Sequence, residues 1–386
     1  MDLLTISPRE YERRFEGARA GMKEQGLEAL LVGTGVNLQY FSGFPSPAQS
    51  GSRPFFLLLP QASDPVLIVH TGRQREAERF TWVRDIRTYE GLGHVPEDLL
   101  VDVIRERDLE TGTMGLEWGH EMRSDLPIWE LLQLAARFSA LKLVDGSPVI
   151  WQQRLIKSEP EIARVRHACT ITSKAYGNLF GQVHEGMTEE EVFRRLVTLQ
   201  ADAGSGSTWS VMTSGPGNYE LASKPPSARC LVKGDMLWLD AGCSVGGYWS
   251  DFSRAGVLGE PIDTQRRYQE QINQITTATV AMIRPGIEVG SVETFCNRLL
   301  EQSGLQWTQS ISGSANRIGH GLGMNVTEPP SVASYDHTVI RAGMILTVEP
   351  GIGTEHGIYH HEQNVLVLPD GVELLSTAST ELAAIH

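Results

Sequence analysis

The stretch LWLDAGCSVGGYWSDFSRAG, residues 237–256, contains two aspartates on either side of a glycine-rich turn. Asp240 ends the apolar run LWLD, and Asp251 follows after ten intervening residues. The pair Gly246-Gly247 between them is typical of a tight hairpin. We predict two strands joined at this turn, an arrangement that can bring both carboxylates to one face of a sheet.

Three more acidic or imidazole side chains lie beside glycine or at strand ends further along the chain. His320 lies within GHGLGM, Glu349 ends ILTVE, and Glu362 lies in HHEQNVLV. Any one of these residues alone would be read as a turn, cap or solvated residue. Together with the two aspartates they supply four carboxylates and one imidazole, which suits two divalent cations of the Mn, Co, Fe or Zn type. The five residues therefore predict a metal centre.

Composition restricts the class of protein. A chain of 386 residues predicts two domains. The net charge of −14 argues against nucleic acid or an anionic membrane as a partner. No apolar run reaches the roughly 18 residues of a membrane span, and the first residues do not resemble a signal peptide. The four cysteines share no CxxC spacing, so we expect reduced thiols and a cytoplasmic protein.

Strand-length apolar runs alternate with helical stretches in the first part of the chain. The runs are LEALLVG, PFFLLLP and VLIVH, and helices are predicted over 7–26 and 124–139, with TGVNLQYFSGF as a turn-rich connection. This alternation predicts an α/β domain over residues 1–153.

Composition changes between residues 151 and 160, where we place the start of a second domain, 154–386. A long helix follows Pro160, and TEEE predicts the capped start of another. The stretch AGSGSTWSVMTSGPGN is rich in glycine, serine and proline and is expected to be a loop. The last 70 residues are predicted to be mostly strands and turns.

The order of these motifs resembles the pita-bread family of metallopeptidases, which contains prolidase, aminopeptidase P, methionine aminopeptidase and creatinase. The motifs are D-x10-D, GHGxG, TVEPG and E-x-N-V-L-V, while RLIKSEPEI resembles the start of the catalytic domain and YFSGF its creatinase-type N-terminal domain. The resemblance implies an α/β creatinase-like domain over 1–153, an α+β pita-bread catalytic domain over 154–386, and a homodimer.

The resemblance also implies a role for each metal residue. Asp240 would chelate one ion, Asp251 and Glu362 would bridge two, and His320 and Glu349 would complete the second site. The nucleophile would be a hydroxide bridging the metals. Glu349 would accept its proton and pass it to the leaving nitrogen.

Three positions depart from the pattern of prolidase-type chains. Those chains read GHGxGxxVHE, but here Thr327 replaces the second histidine. Their histidine in the loop before the first aspartate has no counterpart in SGPGNYELASKPPS, residues 214–227. Their arginine two places before the last ligand is His360 here. The pattern implies intact metal chemistry and an altered substrate pocket.

Further residues are candidates for contact with the substrate. His360 and Glu362 are two apart, so on one strand they would share a face and His361 would point away. His360 would then contact the substrate or support a metal ligand, and with Glu349 and His320 it is a candidate catalytic residue. A packing role for His360 remains open. Arg53 resembles an arginine that reaches a substrate carboxylate across a dimer, or it is a solvated strand-edge residue. Trp209 and Tyr219 would line the pocket or belong to the core.

Three hypotheses remain open from the sequence. The first is a dinuclear-metal aminopeptidase or dipeptidase of Xaa-Pro type acting on small peptides. The second is a hydrolase or lyase of a small non-peptide amide or carboxylated compound, motivated by the three departures. The third is a non-catalytic binding protein of the same shape, which the complete set of five metal residues disfavours.

Overall fold

The computed structural model describes residues 6–33, 35–45, 52–124 and 126–386. Within them the chain forms two compact units that meet in sequence between Arg154 and Leu155. None of the helices in these ranges combines the length and the apolar character needed to cross a membrane.

The N-terminal unit is built on one mixed sheet. Its helices are α1 (Pro8–Gln25), α2 (Val36–Ser42), α3 (Gln74–Phe80), α4 (Glu97–Glu106), α5 (Ile128–Arg137) and α6 (Ser147–Arg154). Its strands are β1 (Ala29–Gly33), β2 (Phe56–Pro60), β3 (Val66–His70), β4 (Asp85–Tyr89), β5 (Thr113–Leu116) and β6 (Lys142–Asp145). The strand order is β4-β3-β2-β1-β5-β6, with β2 antiparallel to both its neighbours. The predicted α/β fold of this domain is confirmed.

One segment of this unit differs from the prediction. TGVNLQYFSGF contains helix α2 instead of consecutive turns. Leu38 and Phe41 are fully buried and lie three positions apart, which places both on one helix face. Gly35 and Gly43, both with positive φ, flank the helix. The glycines therefore end the helix at each side and do not break it.

The C-terminal unit carries the remaining elements. Its helices are α7 (Glu159–Leu179), α8 (Glu189–Asp202), α9 (Asp263–Met282), α10 (Gly290–Gln302) and α11 (Ile311–Ala315). Its strands are β7 (Thr208–Ser214), β8 (Met236–Val245), β9 (Tyr248–Trp249), β10 (Phe252–Leu258), β11 (Gln309–Ser310), β12 (His320–Gly321), β13 (Glu328–Ser331), β14 (Ile345–Val348), β15 (Gly351–Thr354), β16 (Gly357–His360), β17 (Gln363–Leu368), β18 (Gly371–Leu374) and β19 (Ala383–Ile385).

Three sheets form the core of this unit. Their orders are β19-β10-β8-β7 with β9 on β8, β13-β12-β14-β17-β18, and β11-β15-β16. Residues from all three sheets, among them Trp238, Leu346 and Tyr359, share one buried apolar cluster with α9 and α10. Helices packed on strands in this way confirm the predicted α+β fold of the second domain.

Capping side chains define where the first two helices of this unit begin. The Ser158 N–H donates to Glu161 Oε2 at 2.8 Å, and the Thr188 N–H donates to Glu191 Oε2 at 2.8 Å. Both are capping boxes, so helices α7 and α8 begin directly after Ser158 and Thr188, within the motifs RLIKSEPEI and GMTEEE. The glycine-rich stretch that follows α8 is not only a loop, because β7 lies within it and pairs along seven residues of β8.

Candidate metal centre

Asp240 and Asp251 come together through the pairing of β8 and β10. Asp240 lies opposite Ser253 in the antiparallel register, and Asp251 immediately precedes β10. The backbones approach closely here: a Cβ added to Gly242 would lie 1.8 Å from the Ser250 carbonyl oxygen. Glycine is therefore required two residues after Asp240 so that the chain bearing Asp251 can pass.

His320 presents one defined nitrogen to these carboxylates. Its Nδ1 lies 2.9 Å from the Gly321 carbonyl oxygen, which can only accept, so Nδ1 carries a proton. Its Nε2 lies 3.4 Å from Asp251 Oδ2 and 3.5 Å from Glu349 Oε1. A histidine whose Nδ1–H is bound to a carbonyl has its Nε2 lone pair fixed in direction, which suits a metal ligand.

Glu349 follows one strand of the sheet β13-β12-β14-β17-β18, and Glu362 precedes the neighbouring strand. Glu349 comes directly after β14, where its N–H donates to the Ile318 carbonyl at 2.8 Å. Glu362 comes directly before β17 and is 0% exposed. Both strands are neighbours in the same sheet, so their ends deliver two carboxylates to one region.

The buried carboxylate oxygens lack hydrogen-bond partners in the described part of the chain. These oxygens are Oδ1 of Asp240, Oδ1 of Asp251 and both Oε atoms of Glu362. An ionised oxygen buried without a partner is strongly unfavourable, unless a cation compensates its charge. The donor set of carboxylates and imidazole therefore fits divalent metal ions.

Among the described residues, Asp251, His320 and Glu362 bring their ligand atoms into one compact group. One atom from each lies within 4.8 Å of the others, and all three residues are buried. This group could hold a metal ion.

Burial, together with the neighbouring negative charges, shifts the pKa values of three carboxyl groups in the centre upward. Burial, followed by the charges of neighbouring carboxylates, raises the pKa of Asp251 and of Glu362 well above their usual values. Burial also raises the pKa of Asp240, to about 6, although the nearby His360 opposes the shift. A neighbouring cation would stabilise the ionised form of each of these three carboxyl groups.

Glu349 behaves differently from the other three carboxylates. Burial favours its neutral form, but the neighbouring imidazoles of His360 and His320 outweigh burial and lower its pKa. Its side chain is 19% exposed, more than those of Asp251 and His320. Glu349 therefore keeps its negative charge to lower pH than the other three carboxylates.

His360 lies beside this centre. Its Nε2 is 3.5 Å from Glu349 Oε2, and its side chain is only 4% exposed. The strand-alternation reason for expecting it here is wrong, because β16 ends at His360 and Glu362 precedes β17, which belongs to another sheet. His361 is also buried, and neither of its ring nitrogens has a partner in the described ranges.

The other predicted substrate residues have different surroundings. Trp209 is half-buried on β7 opposite Gly242, and Thr327 is half-buried just before β13. Tyr219 is 2% exposed within the apolar core, and its hydroxyl accepts the Met236 N–H at 3.0 Å, which gives it a packing role. Arg53 is exposed in the N-terminal unit.

A buried ionic network occupies the loop that lacks the family's histidine. Glu189, at the start of α8, is 0% exposed and pairs with Lys224. It also accepts hydrogen bonds from the hydroxyl groups of Ser214 at 2.7 Å and Ser227 at 2.6 Å. Glu189 thus binds Ser214 and Ser227, which lie at the two ends of the loop. Lys224 of the same loop forms the salt bridge, and the loop contains no histidine.

Two residues that support the centre were not singled out from the sequence. Asn364 and Arg254 are both buried. The Arg254 guanidinium donates to the Glu362 carbonyl at 2.9 Å and to Gln363 Oε1 at 3.2 Å. Their closeness in sequence to predicted ligands could have identified them: Arg254 follows Asp251 by three residues, and Asn364 follows Glu362 by two.

Comparison with known families agrees with this geometry. Residues 163–369 match metallopeptidase family M24, and residues 14–156 match the creatinase/prolidase N-terminal domain. The chain belongs to metallopeptidase family M24. The family match covers more than half of the chain, so the chain is a metallopeptidase-family hydrolase, and metal dependence is implied.

Relatives match along nearly the whole length of this M24 chain. The putative dipeptidase YkvY of Bacillus subtilis (strain 168) is 25% identical over 96% of this chain and 99% of its own. An Xaa-Pro dipeptidase of Pyrococcus furiosus is 24% identical over the same shares. The crystal structure of recombinant prolidase from Thermococcus sibiricus superimposes with a TM-score of 0.86 at 25% identity, covering 98% of this chain and 100% of that one.

Proposed function

We propose that this chain is a dinuclear-metal-dependent hydrolase that removes the N-terminal residue from small peptides of Xaa-Pro type. The observation that supports it most is the cluster of buried carboxylate oxygens without hydrogen-bond partners, which has the donor set for divalent ions. The relatives named Xaa-Pro dipeptidase support the substrate class.

The proposal gives each residue of the centre a role. Asp240 would hold one ion, Asp251 and Glu362 would lie between two, and His320 and Glu349 would complete the second site. The metal is of the Mn, Co, Zn or Fe type, all of which accept carboxylate and imidazole ligands. When bound, such ions lower the pKa of a water molecule and polarise a carbonyl oxygen.

Glu349 would carry the proton during the reaction. Its lowered pKa keeps the carboxylate ionised near neutral pH, so Oε2 is available to accept a proton from the attacking water. The same oxygen would then donate that proton to the leaving nitrogen.

A second candidate function has specific support from the substrate-handling positions. Thr327 and His360 stand where prolidase-type chains have a histidine and an arginine, and the loop 214–227, which contains Lys224, has no histidine. Hydrolysis or lysis of a small non-peptide amide or carboxylated compound on the same scaffold would follow from such a change. Under this alternative Arg53 would bind a substrate carboxylate, reaching it across a homodimer.

The deciding experiment compares matched substrates. Protein loaded in turn with Mn²⁺, Co²⁺ and Zn²⁺ is assayed with Xaa-Pro dipeptides, the corresponding Xaa-Ala dipeptides, and a panel of small amides and amidines bearing carboxylates. Preferential hydrolysis of Xaa-Pro bonds supports the first function. Activity restricted to non-peptide compounds supports the second and refutes the first.

A further inference from the structure

A second imidazole, that of His360, lies beside the metal centre. His320 is close to one carboxylate oxygen of Glu349, and His360 is close to the other. Glu349 Oε1 lies 3.5 Å from His320 Nε2, and Oε2 lies 3.5 Å from His360 Nε2. The carboxylate therefore lies between two Nε2 atoms. His320 is one of the five predicted ligands, whereas His360 was expected to contact the substrate, to support a ligand, to act in catalysis or to pack.

Hydrogen bonding to Ser253 determines which nitrogen of His360 carries a proton. Ser253 Oγ lies 2.8 Å from the His360 carbonyl oxygen and 2.9 Å from His360 Nδ1. The carbonyl can only accept, so the single hydroxyl proton points to it. Oγ must then accept from Nδ1, which is therefore protonated. Neutral His360 consequently has its lone pair on Nε2, in the same tautomer as His320.

The ring of His360 is also fixed in orientation. Ser253, which is 1% exposed, lies on β10 directly opposite Asp240. The Trp238 ring packs edge-on against the imidazole, with centroids 5.5 Å apart and planes at 79°. The side chain of His360 is 4% exposed. Nε2 is thus held toward Glu349 by contacts on its other side, and water has little access to it.

A bare nitrogen lone pair directed at a carboxylate is unfavourable, so either a proton or a metal ion must lie between or beside them. The Glu349 carboxylate faces this nitrogen, with Oε2 at 3.5 Å. We propose that His360 Nε2 is a sixth protein ligand of the metal centre and that Ser253 is the residue that positions it. This inference rests on the proposed metal-dependent function.

The additional ligand would change the metal preference of the centre. Arginine, the usual residue of prolidase-type chains at this position, keeps its proton and cannot ligate a cation. A second imidazole shifts a carboxylate-rich set toward Zn²⁺, Co²⁺ and Fe²⁺ relative to Mn²⁺. Binding through Nε2 releases no proton from His360, because Nδ1 keeps its own.

The test follows the histidine nitrogens directly. Metal-free protein labelled with ¹⁵N-histidine is titrated with ZnSO₄, and the ring nitrogens are observed by NMR. The signals of His320 and His360 are assigned with His320→Gln and His360→Gln. His167→Gln is the matched control, because His167 is exposed on α7. We expect the Nε2 signals of both His320 and His360 to shift to the range of metal-bound nitrogen.

Two results would overturn the inference. One is a His360 Nε2 signal that does not move at saturating Zn²⁺ while that of His320 does. The other is an Nε2 that carries a proton both with and without Zn²⁺, which would make His360 a cationic partner of Glu349. Because neither result depends on peptide cleavage, failure of the sixth ligand and failure of the proposed peptidase activity can be told apart.

The positioning role of Ser253 is tested separately. Ser253→Ala should weaken Zn²⁺ binding by about 10-fold, the lower end of the usual effect of removing a partner of a metal-bound histidine. It should also make the Nδ1–H tautomer of His360 in the metal-free protein less dominant. Ser253→Thr, which keeps the hydroxyl, should restore both. An unchanged tautomer and unchanged Zn²⁺ affinity in Ser253→Ala would exclude the role.

Discussion

The side chain of Asn364 forms hydrogen bonds with both backbone groups of Asp251. The Asp251 N–H donates to Asn364 Oδ1 at 2.9 Å, and Asn364 Nδ2 donates to the Asp251 carbonyl. Asp251 precedes β10 in one sheet, while Asn364 lies on β17 of another, two residues after Glu362. The amide therefore fixes the two proposed bridging carboxylates relative to each other.

Removal of this amide should weaken the metal centre. In Asn364→Ala two buried backbone groups of Asp251 lose their partners, at a cost of about 1–3 kcal/mol each. We expect metal affinity to fall by about 10- to 100-fold, the usual effect of losing an outer partner of a ligand. Isothermal titration with Zn²⁺ and thermal unfolding measure the two effects. Asn178→Ala, at an exposed position of α7, is the control, and an equal loss there would contradict the assignment.

Replacement of Glu362 should change the response of the protein to metal. Wild-type protein gains about 2.7 kcal/mol of stability when the free metal is 100 times its Kd. Glu362→Gln removes one of four clustered negative charges, so most of this gain should be lost and turnover abolished. Melting temperatures with metal and with chelator give the gain for each protein. If both proteins gain equally, Glu362 does not bind metal.

The ion pair of Glu189 should make stability depend on acid pH. Burial alone would raise the pKa of Glu189, but the hydrogen bonds from Lys224, Ser227 and Ser214 outweigh burial and lower it below the usual 4.5. The stabilisation is therefore fully present above pH 4.5 and is lost as the pH falls through the lowered pKa of the folded state.

Glu189→Gln tests this dependence. The variant should lose about 3 kcal/mol at pH 7, the lower end of the range for breaking a buried pair, because Lys224 is 18% exposed. The difference from wild type should shrink below pH 4.5. Urea unfolding at several pH values measures it. Glu190→Gln, whose side chain is 52% exposed, should show almost no change at any pH.

Gly242 should not tolerate a side chain. The Ser250 carbonyl oxygen would lie 1.8 Å from an added Cβ, so Gly242→Ala forces apart the two chain segments that carry Asp240 and Asp251. We expect a loss of about 1–3 kcal/mol together with impaired metal binding. Gly177→Ala is a helical control with open space around its Cβ, and it should instead stabilise the protein by about 1 kcal/mol. Normal metal binding by Gly242→Ala would refute the spacing argument.

The sequence was sufficient to predict the family and the fold class, because the motif order and the strand–helix alternation are local signals. The prediction of consecutive turns at α2 was wrong because Gly35 and Gly43 are typical turn residues, and the sequence alone does not show that they flank a helix. Sequence reasoning missed β7 because that strand is defined by pairing with β8, about 30 residues away in the chain.

The contacts around the candidate centre were less accessible to sequence reasoning. The bonds of Asn364 to Asp251 and of Ser253 to His360 connect positions more than 100 residues apart. The face of His361 could not be deduced from strand alternation, since the chain leaves one sheet and enters another between His360 and Gln363. Periodicity describes a single element and carries no information about such crossings.

The placement of the candidate ligands in two sheets has a consequence for chain topology. Asp240 and Asp251 belong to one sheet region, while Glu362 leads into the other, about 120 positions later. An ion held by both would act as a reversible cross-link that closes a loop of this length, for which chain-entropy estimates give about 4–5 kcal/mol. All four cysteines are free thiols. In this chain, the availability of metal ions would therefore control a cross-link of the kind that secreted proteins form by oxidising cysteines to disulfides.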